Sequence, residues 1–331
     1  MRKADIELKK ILSYSEAQPV VAGGLVSAFG WVSGALLKGV VVDLLQSTSA
    51  FARAIGVRAC AVHRVFPGLA ATKGIDHSPM IMAAMNRAAG EIGDRRLLVD
   101  SEATTGDVGS AFWSAWSQVL LGDRDRGLTR LAEFAMDSGL HRLDALTLAL
   151  QAMETGDGLA LLRRLEATSG DRRILLRGMS TLGSPRYIPW FISRMADGET
   201  ARVAADAFGE LTGCDVIENH LEAPRPENFE SGPNDDPDDP NVDMDPDDGL
   251  PWPDVKKVEA WWHANEHRFQ KGTRYFMGQP VTKEHCIQVL KTGYQRQRIL
   301  AAQYLCLLEP GTPLFNTAAP AWRQQRLLAA M

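Results

Sequence analysis

The sequence predicts an all-α protein built as a HEAT-like helical-repeat solenoid, an α-α superhelix. Three observations carry that expectation. Apolar residues recur at i, i+3, i+4 and i+7 in segment after segment, no run alternates with the period of two that a strand needs, and glycine-marked breaks return at a near-constant interval. The 331 residues are 45% apolar and 23% charged, a balance that can bury a sizeable core.

Along the chain, Val20 to Leu45 carries one charge before Asp43, at Lys38, and reads as two helices. Val21, Gly24, Leu25 and Ala28 form the first stripe, and Leu37, Val40, Val41 and Leu44 the second, with a break from Gly30 to Gly34. A membrane span needs about 20 uninterrupted apolar residues, and these halves fall short. The stripe returns at Ile81–Ala84–Met85–Ala88, Phe112–Ala115–Trp116–Val119 and Leu128–Leu131–Ala132–Ala135. It comes again at Leu175–Gly178–Met179–Leu182, Ile188–Phe191–Ile192–Met195 and Ala204–Ala207–Phe208–Leu211. Gly93, Gly122, Gly183 and Gly213 punctuate these helices, 29 residues apart in the first pair, 30 in the last and 61 between. A repeat of that size marks stacked helix pairs, each of which buries its apolar face only against a neighbour. Arg202–Gly213 and Ala83–Gly93 resemble the second helix of a short HEAT repeat, of the kind found in bilin lyases and bacterial adaptors.

The pattern stops near Glu218, and the composition divides the chain into a solenoid at 1–217, an acidic Pro/Asp-rich insert at 218–254 and a C-terminal helical module at 255–331. The insert holds 13 acids and one base, the module 11 bases and four acids, and the first part 24 of each. The insert reads either as a solvated linker or as a segment that folds back on the basic module or offers an acidic face to a basic partner. Asp235, Asp236, Asp238 and Asp239 are the candidate contacts in it. After it come a helix over Val255–Phe269, a helix pair over Thr282–Leu308 and a final helix from about Pro320, expected to cap the stack. Trp252, Trp261 and Trp262 are candidate anchors because tryptophan is enriched at binding hot spots, with Arg296 and Arg298 as further candidates. Trp113, Trp116 and Trp190 lie on helical stripes and are assigned to the core.

Catalytic chemistry is sparsely encoded. His263-Ala-Asn-Glu266-His267 fits the H-x-x-E-H pattern of inverted zinc peptidases, yet it is short and a third ligand is not identifiable. Asp243-x-Asp245-x-Asp247 starts like a calcium loop, but its glycine falls late and Pro246 intrudes. Both read better as polar surface, and no cofactor or metal is expected. A net charge of −5 argues against nucleic acid or anionic membranes as partners. Tyr294 and Trp322 beside the C-terminal arginines do not change that, since no nucleic-acid motif accompanies them. Cys60, Cys214, Cys286 and Cys306 form no C-x-x-C pair and suit a reducing compartment, and no signal peptide is seen, so the expected location is the cytoplasm.

Several strings together resemble a proteobacterial HEAT-repeat family encoded near type VI secretion genes. They are Asp245-Pro-Asp-Asp-Gly-Leu-Pro-Trp-Pro-Asp254 with Trp261-Trp262, Gly272-Thr-Arg-Tyr-Phe-Met-Gly278, Gly293-Tyr-Gln-Arg-Gln-Arg298 and Ala319–Leu328, with Trp113–Arg124 upstream. The resemblance implies a cytoplasmic accessory role and supplies no catalytic residue. It also implies longer members with a further N-terminal segment. The expectation is a non-enzymatic adaptor or chaperone-like scaffold that holds a secretion effector or spike component. An immunity protein that neutralises a toxin is the alternative, ahead of a metal-dependent hydrolase or a bilin-lyase-like enzyme.

Overall fold

The computed structural model describes residues 3–66, 78–99, 107–227, 229, 232, 236, 238, 240 and 243–331. Helix makes up 66% of it, so the all-α expectation holds. Contact divides the chain differently from composition. One compact unit joins Met1–Leu148 to Cys286–Met331, and the other is Ala149–His285.

The first unit contains α1 (Lys3–Ala17), α2 (Ala22–Trp31), α3 (Gly34–Leu45), α4 (Ala50–His63), α5 (Pro79–Ile92), α6 (Val108–Leu120) and α7 (Arg124–Met136). The start of α8 (Arg142–Ala152) also belongs to it. Each of α3 to α6 packs on the next in chain order. The second unit holds α9 (Thr155–Thr168), α10 (Arg172–Leu182), α11 (Ile188–Arg194), α12 (Ala201–Thr212) and α13 (Val255–Asn265). A hairpin of β1 (Tyr275–Phe276) and β2 (Gln279–Pro280) follows. Its turn residues Met277 and Gly278 both have positive φ, the backbone that joins tightly twisted strands. Back in the first unit lie most of α14 (Lys283–Thr292), α15 (Gln295–Leu308) and α16 (Ala321–Leu328). These helices fall where the sequence put them.

Most expected stripes are the buried faces; Ile81, Ala84, Met85 and Ala88 on α5 are examples. On α2 the buried face is turned by one position. Phe29 and Gly30 are buried, with Ala22, Leu25 and Val26 half-buried, while Gly24 and Ala28 face out. Phe29 is the bulkiest side chain available on that side, and its place among Leu37, Leu44 and Phe51 sets the helix's rotation.

The glycine breaks have a second cause beyond the left-handed stop. The last carbonyls of a helix have no partner within it, and here a later stretch of chain supplies one. In the second unit, Tyr275 N–H donates to Gly183 O at 2.8 Å, Met277 N–H to Glu210 O at 2.7 Å and Gly278 N–H to Leu211 O at 3.0 Å. The Arg274 guanidinium reaches the carbonyls of Gln151 and Met153 at the end of α8, where a cation also suits the helix dipole. In the first unit, Leu314 N–H donates to Glu91 O at 3.0 Å, while Arg323 donates to Val62 O at 3.3 Å. Glu91 and Glu210 hold matching places in the two HEAT-like strings, each following a glycine and preceding the stop. In both, the returning backbone donates to the glutamate carbonyl.

That approach leaves no room at the stops. A Cβ on Gly93 (φ +80°) would lie 2.2 Å from Gly311 O, and one on Gly183 (φ +69°) would lie 2.3 Å from Tyr275 O. Backbone cannot yield as a side-chain tip can. We expect Gly93→Ala and Gly183→Ala each to destabilise by more than about 1 kcal/mol. Gly39→Ala, inside α3 with nothing within 4 Å of its would-be Cβ, should instead stabilise by about 0.5–1 kcal/mol. Urea melts of the three variants check the contrast, and equal effects at Gly39 and Gly93 would dismiss the close-approach argument.

Candidate functional site

The first unit contains an open cavity of about 760 Å³. Four helices turn one stripe each toward it. From α4 come Phe51, Ala54, Ile55 and Arg58, and from α5 come Met80, Ala83, Ala84, Arg87 and Glu91, both at helical spacing. Val26 and Trp31 of α2 and Ile299, Ala302 and Gln303 of α15 add further walls, and the extended stretch 314–319 runs along one side. The space exists because alanine and glycine occupy many of the facing positions.

Charge is concentrated on one wall. Arg58 forks onto Glu91, with Nη1 2.7 Å from Oε2 and Nη2 2.9 Å from Oε1, and Arg87 Nε adds a 2.9 Å bond to Oε1. Burial by itself would raise the Glu91 carboxyl, but the two guanidiniums outweigh it and hold the group below its ordinary range. Arg87 is pushed down by burial and by the neighbouring Arg58, and its guanidinium lies 4.1 Å over the Trp113 ring. Arg64, also lowered by burial, donates to Leu314 O at 2.7 Å. Three arginines against Glu91 and the nearby Asp144 leave this wall positive. Gln303 is only 8% exposed, and its Oε1 has no hydrogen-bond partner. Nearby, His63 Nε2 sits 2.9 Å from Phe29 O, so that nitrogen carries the proton and caps the end of α2.

In the second unit the predicted acidic segment becomes structure. The insert's ends are zipped together by Ala223 N–H to Trp252 O at 2.8 Å and Asp254 N–H to Leu221 O at 2.7 Å. Asp247, 3% exposed, accepts both terminal nitrogens of Arg173. Arg202 meets Asp245 at 2.8 Å and donates to Asp247 O at 3.0 Å. The same guanidinium lies 4.8 Å from the Trp252 ring and 5.0 Å from Phe229. The basic partner of these carboxylates is therefore a pair of arginines on α10 and α12, and not the 255–331 module. From Asp245 to Asp254 the insert is no solvated linker, and two of the three aspartates that open the calcium-like pattern, Asp245 and Asp247, are committed to guanidiniums.

The other predicted positions scatter. Asp236 and Asp238 are exposed, and Asp235 and Asp239 lie outside the described residues. Trp252 is half-buried beside Phe229, Trp261 sets its edge on Phe208 at 5.6 Å, and Trp262 is buried against Phe269 at 5.3 Å. Arg296 is exposed, whereas Arg298 donates to Leu290 O and to Gln324 Oε1. His263, Glu266 and His267 are all exposed, with Glu266 and His267 in a 3-10 turn beyond α13. Trp116 is buried, and Trp113 and Trp190 are half-buried. All four cysteines are free and buried, and burial pushes Cys60 up to about 11 and Cys214 and Cys306 to about 12, so those thiols stay protonated. Sequence reasoning missed Arg58, Arg87, Glu91, Gln303, Arg173 and Arg202. The available signal was a charge at a stripe position, with Arg87 and Glu91 four apart on one face.

No protein-family model, no curated protein and no solved structure matches the chain.

Two outcomes follow from these ion pairs. Arg202→Met strands the Asp245 carboxylate at 13% exposure and should cost about 3 kcal/mol, with faster proteolysis between Asp243 and Trp252. An unchanged urea midpoint and digestion pattern would show that the pair holds nothing. For Glu91 the folded pKa lies below the ordinary 4.5, so its stabilisation is full above that value and is lost as pH falls through the folded pKa. The stability gap between the native chain and Glu91→Gln should thus narrow as pH drops below about 4.5, as urea melts at about pH 3 and pH 6 would report.

Proposed function

We propose that the protein is a non-catalytic HEAT-like scaffold that holds a partner protein, acting in the cytoplasm as an adaptor or chaperone-like accessory of a type VI secretion system. The observation that carries the binding role is the cavity of about 760 Å³, walled by one face from each of four helices. A preformed recess of that size, mostly apolar with a few fixed polar groups, is the usual form of a binding site. Among the described residues its lining includes no histidine or cysteine, and Glu91 is held ionised between two guanidiniums. Such a carboxylate is poorly suited to trade protons at neutral pH.

The repeat reading draws on the glycine-stopped helices at matched spacing and on the equivalence of Glu91 and Glu210. The secretion context draws on the resemblance in the C-terminal motifs. Among the described residues no helix is long and apolar enough to cross a membrane.

The test is affinity capture of the tagged full chain from its native cells, read by mass spectrometry, beside a variant in which the cavity is filled. Recovery of a secretion effector or spike component, retained without loss of that component's activity, is the expected outcome. Neutralisation of a co-expressed toxin would move the protein to the immunity class, and capture of no protein above background would overturn the scaffold reading.

A further inference from the structure

We infer that the cavity of the first unit is a receptor for an extended peptide segment of the partner, one that carries a carboxylate beside an apolar side chain. This deepens the scaffold reading and rests on it.

Three features of the cavity specify that chemistry independently. The first is charge. Arg58, Arg64 and Arg87 line the cavity, and Glu91 is the one interior acid among them; the Glu16 carboxylate is exposed, accepting from Ser49 Oγ at 3.1 Å. Glu91 is shared between Arg58, through both terminal nitrogens, and Arg87, through Nε, and Asp144 also acts on Arg87, so one positive charge is left over among the three arginines. Cations removed from water are stabilised by an anion, and a planar guanidinium favours a carboxylate.

The second is the unmet acceptor. Gln303 is more than nine-tenths buried and lines the cavity, and its Oε1 receives no hydrogen bond. A buried acceptor left without a donor costs about 1–3 kcal/mol; because Oε1 is itself closed off from solvent, a ligand N–H recovers that cost only by drawing the Gln303 amide round toward the cavity. A peptide amide brings such a donor at every residue, whereas a fatty acid or a simple anion brings none.

The third is shape. Ala54, Ala83, Ala84 and Ala302 stand where larger apolar groups would close the space, and Phe51, Ile55 and Phe315 remain to receive an apolar side chain. The volume suits a short segment and not a folded domain.

The experiment selects random phage-displayed peptides on the intact chain, then titrates the enriched sequences as capped, labelled peptides. Enrichment of a glutamate or aspartate flanked by apolar residues is expected, with binding weakened about tenfold or more when the acid is replaced by its amide. Ala83→Leu, which extends a half-buried side chain into open space, should weaken binding by at least about tenfold while leaving circular dichroism unchanged and the melting temperature no lower. Arg87→Gln and Gln303→Leu should each weaken it as well.

Enriched peptides that are basic or uncharged, binding indifferent to Ala83→Leu, or no peptide enriched would each overturn the assignment. So would N-acetylglutamate binding as tightly as the peptides, which would make this a site for a free carboxylate. If Ala83→Leu still captures the partner from cells, the cavity proposal falls and the scaffold reading stands. If the native chain captures none, the scaffold reading itself falls.

Discussion

Closure of the helix ends is the constraint on which the fold depends. A bundle of short helices presents many last-turn carbonyls, and each one buried without a donor would cost as much as several apolar contacts gain. Here the chain solves this by returning. The stretch around Tyr275–Gly278 serves α10 and α12 in the second unit, and Leu314 with Arg323 serves α5 and α4 in the first. The returning backbone can come so close only because the stop residues lack a Cβ. Turn geometry and packing therefore select glycine at the same positions, Gly93 and Gly183, for two separate reasons.

Both units also bury guanidinium–carboxylate pairs, but the pairs are balanced differently. In the second unit Arg173 and Arg202 are met by Asp247 and Asp245, and the aromatic faces of Trp252 and Phe229 cover Arg202. Each cation there has its own anion, and the segment carrying the anions is fixed. In the first unit Arg58 and Arg87 share Glu91, and Arg64 relies on a backbone carbonyl. Buried ion pairs are costly to assemble and costlier to break, so an unbalanced cluster facing open space invites completion from outside the chain.

Much of this was legible in the sequence and some was not, for physical reasons. Helices with one exposed face announced themselves: α5, α6, α10 and α12 bury the residues that the spacing picked out. Helix α4 did not, because Phe51, Ala52, Ala54, Ile55, Gly56 and Val57 are all buried; a helix packed on most sides has no stripe to read. The insert misled for a related reason. Aspartate and proline density describes an unpaired chain, and nothing local reveals that Asp245 and Asp247 meet arginines more than 40 residues away. The tryptophans after it were read as anchors, and Trp262 is instead spent on its neighbour Phe269. The cavity was invisible for the most general reason, since it is assembled from α2, α4 and α5 together with α15, which comes more than 200 residues later in the chain.

The alanines of the cavity carry the remaining argument. On α10 and α12 the inward positions hold Leu175, Leu182, Phe208 and Leu211, all buried. On α4, α5 and α15 the cavity-facing positions include Ala54, Ala84 and Ala302. A larger side chain at such a position would remove apolar surface from water and gain dispersion contacts, worth about 0.8 kcal/mol per buried methylene. Stability alone therefore favours filling the recess. Leaving it open, with a positive wall, is the arrangement that the proposed binding role requires and folding does not.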